Sequence, residues 1–377
     1  MSHPKPWPVL LMARSLGHGG TERQVAELAK SLDRDRFAPH VACFDPGGFR
    51  EEELRRRGVP ILQMDMHSFL SRESIRALSR LRSYVQAHGI LLAHTFDHPM
   101  NVFGVPAARL LRVPVVLSSQ RSHRSLIPSK YLPAIRFSDR LTNGIVVNCN
   151  FVRAHLMNDY GVPDRKIHVC YNALDTTQFQ PGPRVRPPEL EGARLVIGVI
   201  CVLRAIKGLS TLVEAFAQLY RDDAGLKLLI IGSGPERDRL ESQARELGVA
   251  PGCLFRESTS DVATWLRAID VFVLPSLSEA LSNSLMEAMA AGCCAIASRV
   301  GGNPELVRDG ETGLLFEPGD AASLAERLRA VIHSDDLRLT LADSGARFVA
   351  ANFRTARSVV RMQEIYAGFL DGVSAVR

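Results

Sequence analysis

The sequence predicts two α/β domains, each a doubly wound parallel sheet, joined by a short linker. Three observations predict this. The chain has 377 residues, more than one ordinary core holds, so two domains of roughly 150–200 residues are expected. Short apolar runs alternate with amphipathic segments along most of its length. The stretch PGPRVRPPELEG, residues 181–192, interrupts the alternation with four prolines and two glycines, and the alternation then restarts.

Taken in order, Val9–Ala13 reads as a strand. After a glycine-rich turn, Val25, Leu28, Ala29 and Leu32 recur at helical spacing. Val41–Phe44, Ile90–Ala93, Val115–Leu117 and Ile145–Val147 are the next strand candidates, each followed by a polar or glycine-rich loop. Beyond the proline-rich stretch, Leu195–Cys201, Leu226–Ile231, Val271–Leu274 and Cys294–Ala297 read as strands with helices between them. Strand–loop–helix repetition means βαβ units and parallel pairing. The expected organisation is an N-terminal domain over residues 1–182, a linker over 183–192, a C-terminal domain over 193–353 and a terminal segment over 354–377. Ligands of such sheets sit outside the carboxyl ends of the strands, so a cleft between the domains is the expected site.

Apolar residues make up 46% of the chain and charged residues 23%, the balance of a globular protein. No apolar run approaches the ~18 residues of a membrane span, and the run before Ala13 is too short for a signal-peptide core. Seven scattered cysteines without a CxxC pair suit a reducing compartment, and the protein is placed in the cytoplasm. Residues 1–180 hold 24 Lys+Arg against 15 Asp+Glu, a net of +9, whereas residues 181–377 hold 22 against 25, a net of −3. A basic first half suits an anionic membrane surface or a phosphorylated lipid, or reflects arginine-rich composition alone. No nucleic-acid-binding module accompanies the charge.

Chemistry-bearing residues cluster at the strand ends. In the second half, Arg204 and Lys207 follow the first strand, where a guanidinium fork and a point charge can grip a diphosphate; a solvated basic turn is the plain alternative. Gly232-Ser233-Gly234 follows the second strand and permits close backbone approach. In PSLSEALSNSLMEAMAAG, residues 275–292, Ser282 or Asn283 can cap a helix starting near Ser284, whose first-turn amides would bind an anion. Glu279 lies before that helix and Glu287 about one turn inside it. Two carboxylates beside a phosphate site can accept hydrogen bonds from two sugars, although Glu287 on a solvent face would do nothing. In the first half, Gly17-His18-Gly19-Gly20-Thr21-Glu22 opens a helix, and Asp45 stands where a dinucleotide site would want an acid, which keeps a dehydrogenase reading open. His94 and His98 flank Asp97 at another strand end; they could transfer protons, ligate a metal that lacks an apparent third ligand, or be structural. Arg121 and Arg124 follow the next strand as candidate contacts to a phosphate-bearing acceptor. Asp33-Arg34-Asp35, the one literal DxD, reads as a solvated turn.

These elements, in this order, resemble retaining glycosyltransferase family 4. The resemblance rests on Glu279 and Glu287 at E-x7-E spacing followed by Ala-Met-Ala-Ala-Gly, on Arg204 with Lys207, on Gly232-Ser-Gly234-Pro-Glu, on Gly301-Gly302-Asn-Pro-Glu with Gly310-Glu-Thr-Gly313, and on Gly19-Gly20-Thr-Glu22. It spans about residues 9–370 and implies the GT-B fold, two facing Rossmann-like domains with an interdomain cleft, the last helix crossing back to the first domain. It implies a retaining, metal-independent hexosyltransferase without cofactor, taking a nucleotide-diphosphate sugar, UDP-sugar favoured over GDP-mannose. Arg204 and Lys207 would bind the diphosphate and assist its departure. Glu287 would hold the ribose and Glu279 the transferred sugar. Leu281, Ser282 and Asn283 would offer backbone amides, with Gly19, Gly20, Gly232, Gly234 and Thr259 also on the donor side. His98 is the favoured catalytic histidine; His94, Asp97, Arg121 and Arg124 fall to the acceptor, a glycan or lipid-linked intermediate of cell-surface polysaccharide assembly at the inner face of the membrane. The alternatives are a non-catalytic nucleotide-sugar-binding subunit and a nucleotide-sugar epimerase.

Overall fold

A computed structural model describes residues 5–17, 19–45, 47–69 and 71–374; His18 of the first glycine-rich turn lies outside them. The chain forms two compact units, residues 1–173 with 355–377, and residues 174–354.

The first unit holds strands β1 (Trp7–Ala13), β2 (Phe37–Cys43), β3 (Ile61–Gln63), β4 (Leu92–Thr95), β5 (Val115–Gln120), β6 (Gly144–Val147) and β7 (Ile167–Val169). Its helices are α1 (Gly20–Ser31), α2 (Phe49–Arg56), α3 (Arg72–His88), α4 (His98–Leu110), α5 (Leu132–Leu141) and α6 (Asn150–Tyr160). The strands pair in the order β3-β2-β1-β4-β5-β6-β7, all parallel. Strand periodicity divides the core. Val9, Leu11 and Ala13 join Val25, Leu28 and Ala29 of α1 on one face, whereas Leu10 and Met12 join Ala77, Leu81 and Val85 of α3 and Met100 and Val105 of α4 on the other. Covered on both faces, β1 reads as an unbroken apolar run.

The second unit holds β8 (Leu195–Ile200), β9 (Leu226–Ile231), β10 (Cys253–Arg256), β11 (Val271–Leu274), β12 (Cys294–Ser298) and β13 (Leu314–Phe316). The helices are α7 (Leu209–Tyr220), α8 (Arg237–Glu246), α9 (Val262–Arg267), α10 (Asn283–Ala290), α11 (Asn303–Leu306), α12 (Ala321–Ile332) and α13 (Asp335–Asn352). Its order, β10-β9-β8-β11-β12-β13, again all parallel, reverses direction between β8 and β11. Both sheets follow the doubly wound plan in which strand order reverses beside the first strand. Among the described residues no helix is long and apolar enough to cross a membrane.

Two features differ from the expected organisation. The proline-rich stretch is part of the second unit rather than a free linker: Arg184 and Arg186 both pair with buried Asp270, at 3.1 and 2.9 Å, and Leu190 is fully buried. The boundary therefore falls between Ala173 and Leu174, because residues past it are held by the second unit, as in the bond from Leu174 N–H to Phe353 O.

The last helix, α14 (Thr355–Ser374), belongs to the first unit, where Val359, Met362, Ile365, Tyr366 and Leu370 complete the α1 side of the core. Tyr366 Oη lies 2.7 Å from His94 Nδ1, and Ser119 Oγ lies 2.9 Å from His94 Nε2. His94 is fully buried, and burial together with the nearby Arg121 charge pushes its pKa down to about 3. Its ring is thus neutral, one nitrogen donating and the other accepting, and it fastens α14 to β4 and β5. A histidine neutral in the fold but protonated when unfolded gives stability that is complete above pH 6.5 and falls as pH drops toward 3. On the order of 4 kcal/mol is at stake over that window. His94→Gln, which keeps a donor and an acceptor but cannot titrate, is expected to flatten the acid limb of a pH series of melting curves.

Candidate active site

In the second unit, four strands deliver their residues to one sheet edge. The chain leaves β8 through Arg204, makes a single helical turn over Ala205–Lys207 and enters α7 at Gly208. Gly208 has φ of +62°, and a Cβ there would lie 2.1 Å from Pro275 O. That glycine lets the loop after β8 press against the loop after β11, where Leu277 N–H donates to Ile206 O at 2.8 Å. Lys207 and Glu279, distant in sequence, therefore meet: Nζ lies 2.7 Å from Oε2, with both side chains mostly buried.

Glu279 is held from behind. The hydroxyl of fully buried Ser276 donates to the same Oε2 at 3.0 Å, and Ser298 Oγ donates to Ser276 O at 2.6 Å. Gly301, with φ of +57°, brings the loop after β12 so close that a Cβ would sit 1.9 Å from Glu279 O. Gly302 N–H then bonds Ala280 O at 2.7 Å. Ser282 caps α10, its Oγ accepting from Leu285 N–H at 3.3 Å, and the helix begins at Asn283, one residue before the expected start. The first turn of a helix carries N–H groups without intrahelical partners and the positive end of the dipole, which together favour an anion. Glu287 is 4% exposed, so it does not face solvent. Leu281 is buried as well. Arg204 is exposed at the same edge.

The Gly232-Ser233-Gly234 turn folds against the loop after β8: Leu203 N–H donates to Ser233 O and Glu236 N–H to Leu203 O, both at 3.1 Å. Ser233 Oγ donates to Glu257 Oε2 at 2.6 Å and lies 3.0 Å from Ser258 Oγ, tying the ends of β9 and β10 together. Thr259 follows and accepts from Asp261 N–H at 3.0 Å through its hydroxyl.

In the first unit, the carboxyl ends of β1, β2 and β4 border a pocket of about 370 Å³. Phe44, Phe69 and Tyr131 supply aromatic walls; Arg14, Asp45 and His98 supply polar groups. Phe44 and Phe69 meet edge to face at 6.2 Å, and the His98 ring lies 6.5 Å from that of Tyr131. Burial and the Arg14 charge hold the His98 pKa below the ordinary histidine value. Gly19 and Gly20 open α1 from the end of β1, as cap and first residue.

The other histidine and the expected acceptor contacts have structural work. His94 is locked between Tyr366 and Ser119 and reaches no surface. Asp97 caps α4, its two oxygens accepting from Met100 N–H at 2.9 Å and Arg14 N–H at 2.7 Å, and burial pushes its pKa up to about 6. Arg124 is fully buried, paired with Asp139 at 2.7 Å and stacked 4.5 Å over the Tyr160 ring. Arg121 bonds Asn172 Oδ1, and burial lowers its pKa to about 10. The Asp33 carboxylate accepts from Asp35 N–H at 3.0 Å in an exposed turn. His123, His155 and Asp159 bring ligand-type atoms within 4.8 Å of one another. Both His155 ring nitrogens are engaged, one with Asp159 at 2.5 Å and one with Arg124 N–H at 3.3 Å, so the group is a hydrogen-bonded cluster. Sequence reasoning missed Ser276, Ser298, Arg14, Phe69 and Tyr131; position at a strand end was the available signal for Arg14 and Ser276.

A double-mutant cycle of Lys207→Met and Glu279→Gln, read by thermal unfolding, is expected to give a coupling of about 1 kcal/mol or more, above the range of exposed pairs. Ser276→Ala should cost about 1 kcal/mol. A coupling near zero would show the pair to be incidental.

Both units of the chain match known protein families. The model for Glycosyl transferases group 1 matches residues 186–348, and that for Glycosyltransferase Family 4 matches residues 18–178. The lipopolysaccharide core biosynthesis glycosyltransferase LpsE of Rhizobium meliloti is 36% identical over 39% of this chain and 42% of its own. A GDP-mannose-dependent alpha-(1-6)-phosphatidylinositol monomannoside mannosyltransferase of Mycobacterium tuberculosis is 28% identical over 72% of this chain and 73% of its own. Across four of the curated relatives the match spans between 42% and 59% of their length. The crystal structure of Anabaena Alr3699/HepE in complex with UDP and glucose superposes with a TM-score of 0.82 at 20% identity, covering 95% of this chain and 99% of that one. The two family models together take in most of both units, and the chain belongs to glycosyltransferase family 4, with the GT-B fold.

Proposed function

We propose that the chain is a retaining glycosyltransferase that moves a hexosyl or N-acetylhexosaminyl group from a nucleotide-diphosphate sugar to a hydroxyl of a glycan or lipid-linked acceptor in cell-surface polysaccharide assembly. The observation that carries this reading is the Lys207–Glu279 pair beside the capped start of α10, with Arg204 exposed and Glu287 buried at the same edge. Cations and helix amides there receive a diphosphate, and carboxylates beside it receive sugar hydroxyls.

In the proposed reaction the bond between the sugar anomeric carbon and the diphosphate oxygen breaks, and its electron pair leaves with the diphosphate. Arg204, Lys207 and the first-turn amides of α10 stabilise that charge as it develops. Glu279 orients the sugar and Glu287 the ribose. The acceptor oxygen bonds to the anomeric carbon on the face the diphosphate vacates, and its proton passes to a leaving phosphate oxygen. The first-unit pocket holds the acceptor, its aromatic walls against a sugar face or apolar group and Asp45 and His98 on hydroxyls. No metal enters these steps. Support for a UDP-sugar comes from the Anabaena structure, which holds UDP and glucose; the mycobacterial relative supports GDP-mannose. Action at the inner face of the membrane fits the relative named for lipopolysaccharide core synthesis.

Melting curves with UDP, GDP, ADP and their sugars test the donor site. One nucleotide is expected to raise the melting temperature by about 5 °C or more at a hundredfold excess over its Kd. Arg204→Ala and Glu287→Gln should each weaken that nucleotide about tenfold or more. No shift with any nucleotide would overturn the reading, and binding without sugar transfer would leave a binding subunit. Product anomer determined by NMR tests retention. The pH profile tests His98: its pKa lies below the ordinary 6.5, so protonation sets in only beneath that value. The His98-dependent fall in kcat/KM is expected under pH 6.5, and His98→Asn should remove it.

A further inference from the structure

We propose that the outer face of α5, with the loop leading into it, docks on the surface of an anionic lipid bilayer. Between Asp97 and Asp139 the sequence has no acidic residue and six cations, Arg109, Arg112, Arg121, Arg124, Lys130 and Arg136, with Arg140 just beyond. Arg121 and Arg124 are used internally, and Arg109 bonds Leu141 O at 2.6 Å and Asn143 Oδ1 at 2.6 Å. Lys130, Arg136 and Arg140 are exposed.

Helix α5 buries Ile135 and Ser138 and turns Pro133, Arg136, Phe137 and Arg140 outward, at the i, i+3, i+4, i+7 spacing of one face. Phe137 is 54% exposed between two arginines, and Leu126 of the preceding loop is 47% exposed. The one acid of α5, Asp139, is paired with Arg124; the neighbouring acids of the α6 region are paired too, Asp159 with His155 and Asp164 with Arg153. The face thus presents apolar side chains among cations, and the acids named beside it, Asp139, Asp159 and Asp164, each hold a hydrogen-bonding partner. A single exposed apolar residue is ordinary. Apolar side chains ringed by exposed cations on an amphipathic helix match the boundary of an anionic bilayer, where the former enter the acyl region and the latter meet lipid phosphates. Aliphatic Leu126 and Pro133 suit acyl chains better than the base stacking a nucleic acid would require.

The face is continuous with the first-unit pocket. Tyr131 lines that pocket and immediately precedes α5, and Lys130 Nζ lies 5.1 Å from the centre of its ring. Docking would set the rim of the pocket at the lipid surface, where a lipid-linked acceptor arrives. That purpose rests on the proposed function; the docking does not, because it is read without donor or transfer.

The test is co-sedimentation of the full chain with phosphatidylcholine vesicles, alone or with about 30 mol% phosphatidylglycerol. Binding is expected with the anionic vesicles only, falling as salt rises. Arg136→Glu/Arg140→Glu should weaken partitioning at least about tenfold. Phe137→Ser should weaken it without altering its salt dependence. Arg57→Glu/Arg72→Glu makes the same change of charge at other exposed positions of the unit and should leave binding largely intact. No binding to anionic vesicles, or equal loss in the two double variants, would overturn the proposal. So would a dimer in analytical ultracentrifugation that Phe137→Ser dissociates, since a second copy would then cover the face. Unchanged melting of each variant confirms that it is folded.

Discussion

In a sheet whose strands all run one way, every strand releases its chain at the same edge. The return path to the next strand must then cross a face, usually as a helix. That constraint governs both units of this protein. It brings Lys207 from the end of β8, Ser233 from β9, Glu279 from β11 and Gly301 from β12 to one edge. It brings Arg14, Asp45 and His98 to the corresponding edge of the first sheet. The faces are consumed by packing, as the division of β1 between two cores shows, so chemistry has only the edges to occupy. Glycines decide how near neighbouring loops approach. At Gly208 and Gly301 a side chain would strike the backbone of the loop after β11, so both positions exclude a Cβ in order to bring a cation and a clamp to Glu279.

The Lys207–Glu279 pair shows how such an edge can be prepared before a ligand arrives. Two partly buried charges on separate loops would ordinarily cost desolvation that their attraction does not fully return. Here the carboxylate also receives a hydroxyl from Ser276, whose own backbone is held by Ser298, so its orientation is set by the second unit itself. In the proposed reaction this matters because Glu279 must orient a sugar while Lys207 faces a diphosphate. A group already oriented loses little freedom on binding, and stabilisation of the departing charge requires no rearrangement when the bond breaks. Arg204 has the complementary character: it is exposed, so in the proposed reaction its long side chain has room to adjust to the phosphate.

Strands buried on both faces were legible as apolar runs, and Leu226–Ile231 and Val271–Leu274 match residue for residue. The strands that no apolar run announced, Ile61–Gln63, Ile167–Val169, Cys253–Arg256 and Leu314–Phe316, have three or four residues each and lie at sheet edges, too short to show a period. The E-x7-E spacing placed a carboxylate before α10 and another inside it, because a capping serine and an uninterrupted helix former sequence fix both positions locally. Depth was not legible. His94 and His98 are four residues apart at one strand end, yet one is sealed beneath α14, which arrives from more than 250 residues away, and the other borders a pocket. Arg124 looked available because its partners, Asp139 and Tyr160, lie on helices whose packing no local pattern announces. The proline-rich stretch looked free for the same reason: Asp270, which holds it, is about 85 residues further on.

The division of charge between the halves gains a physical meaning once burial is considered. The second half carries a net of −3, yet the residues gathered at its candidate site include Lys207, Arg204 and a helix start, all favouring an anion. Formal charge summed over a unit says little about a site, because exposed acids are screened by solvent while the site's groups act at short range and partly desolvated. The first half carries +9, and part of that excess is spent inside, on Arg121 with Asn172 and Arg124 with Asp139. Of what remains outside, Lys130, Arg136 and Arg140 lie in or beside the stretch that lacks acids, and there they surround exposed Phe137. Charge that only maintained solubility would have no reason to ring an apolar side chain; charge that meets a phosphate-bearing surface would.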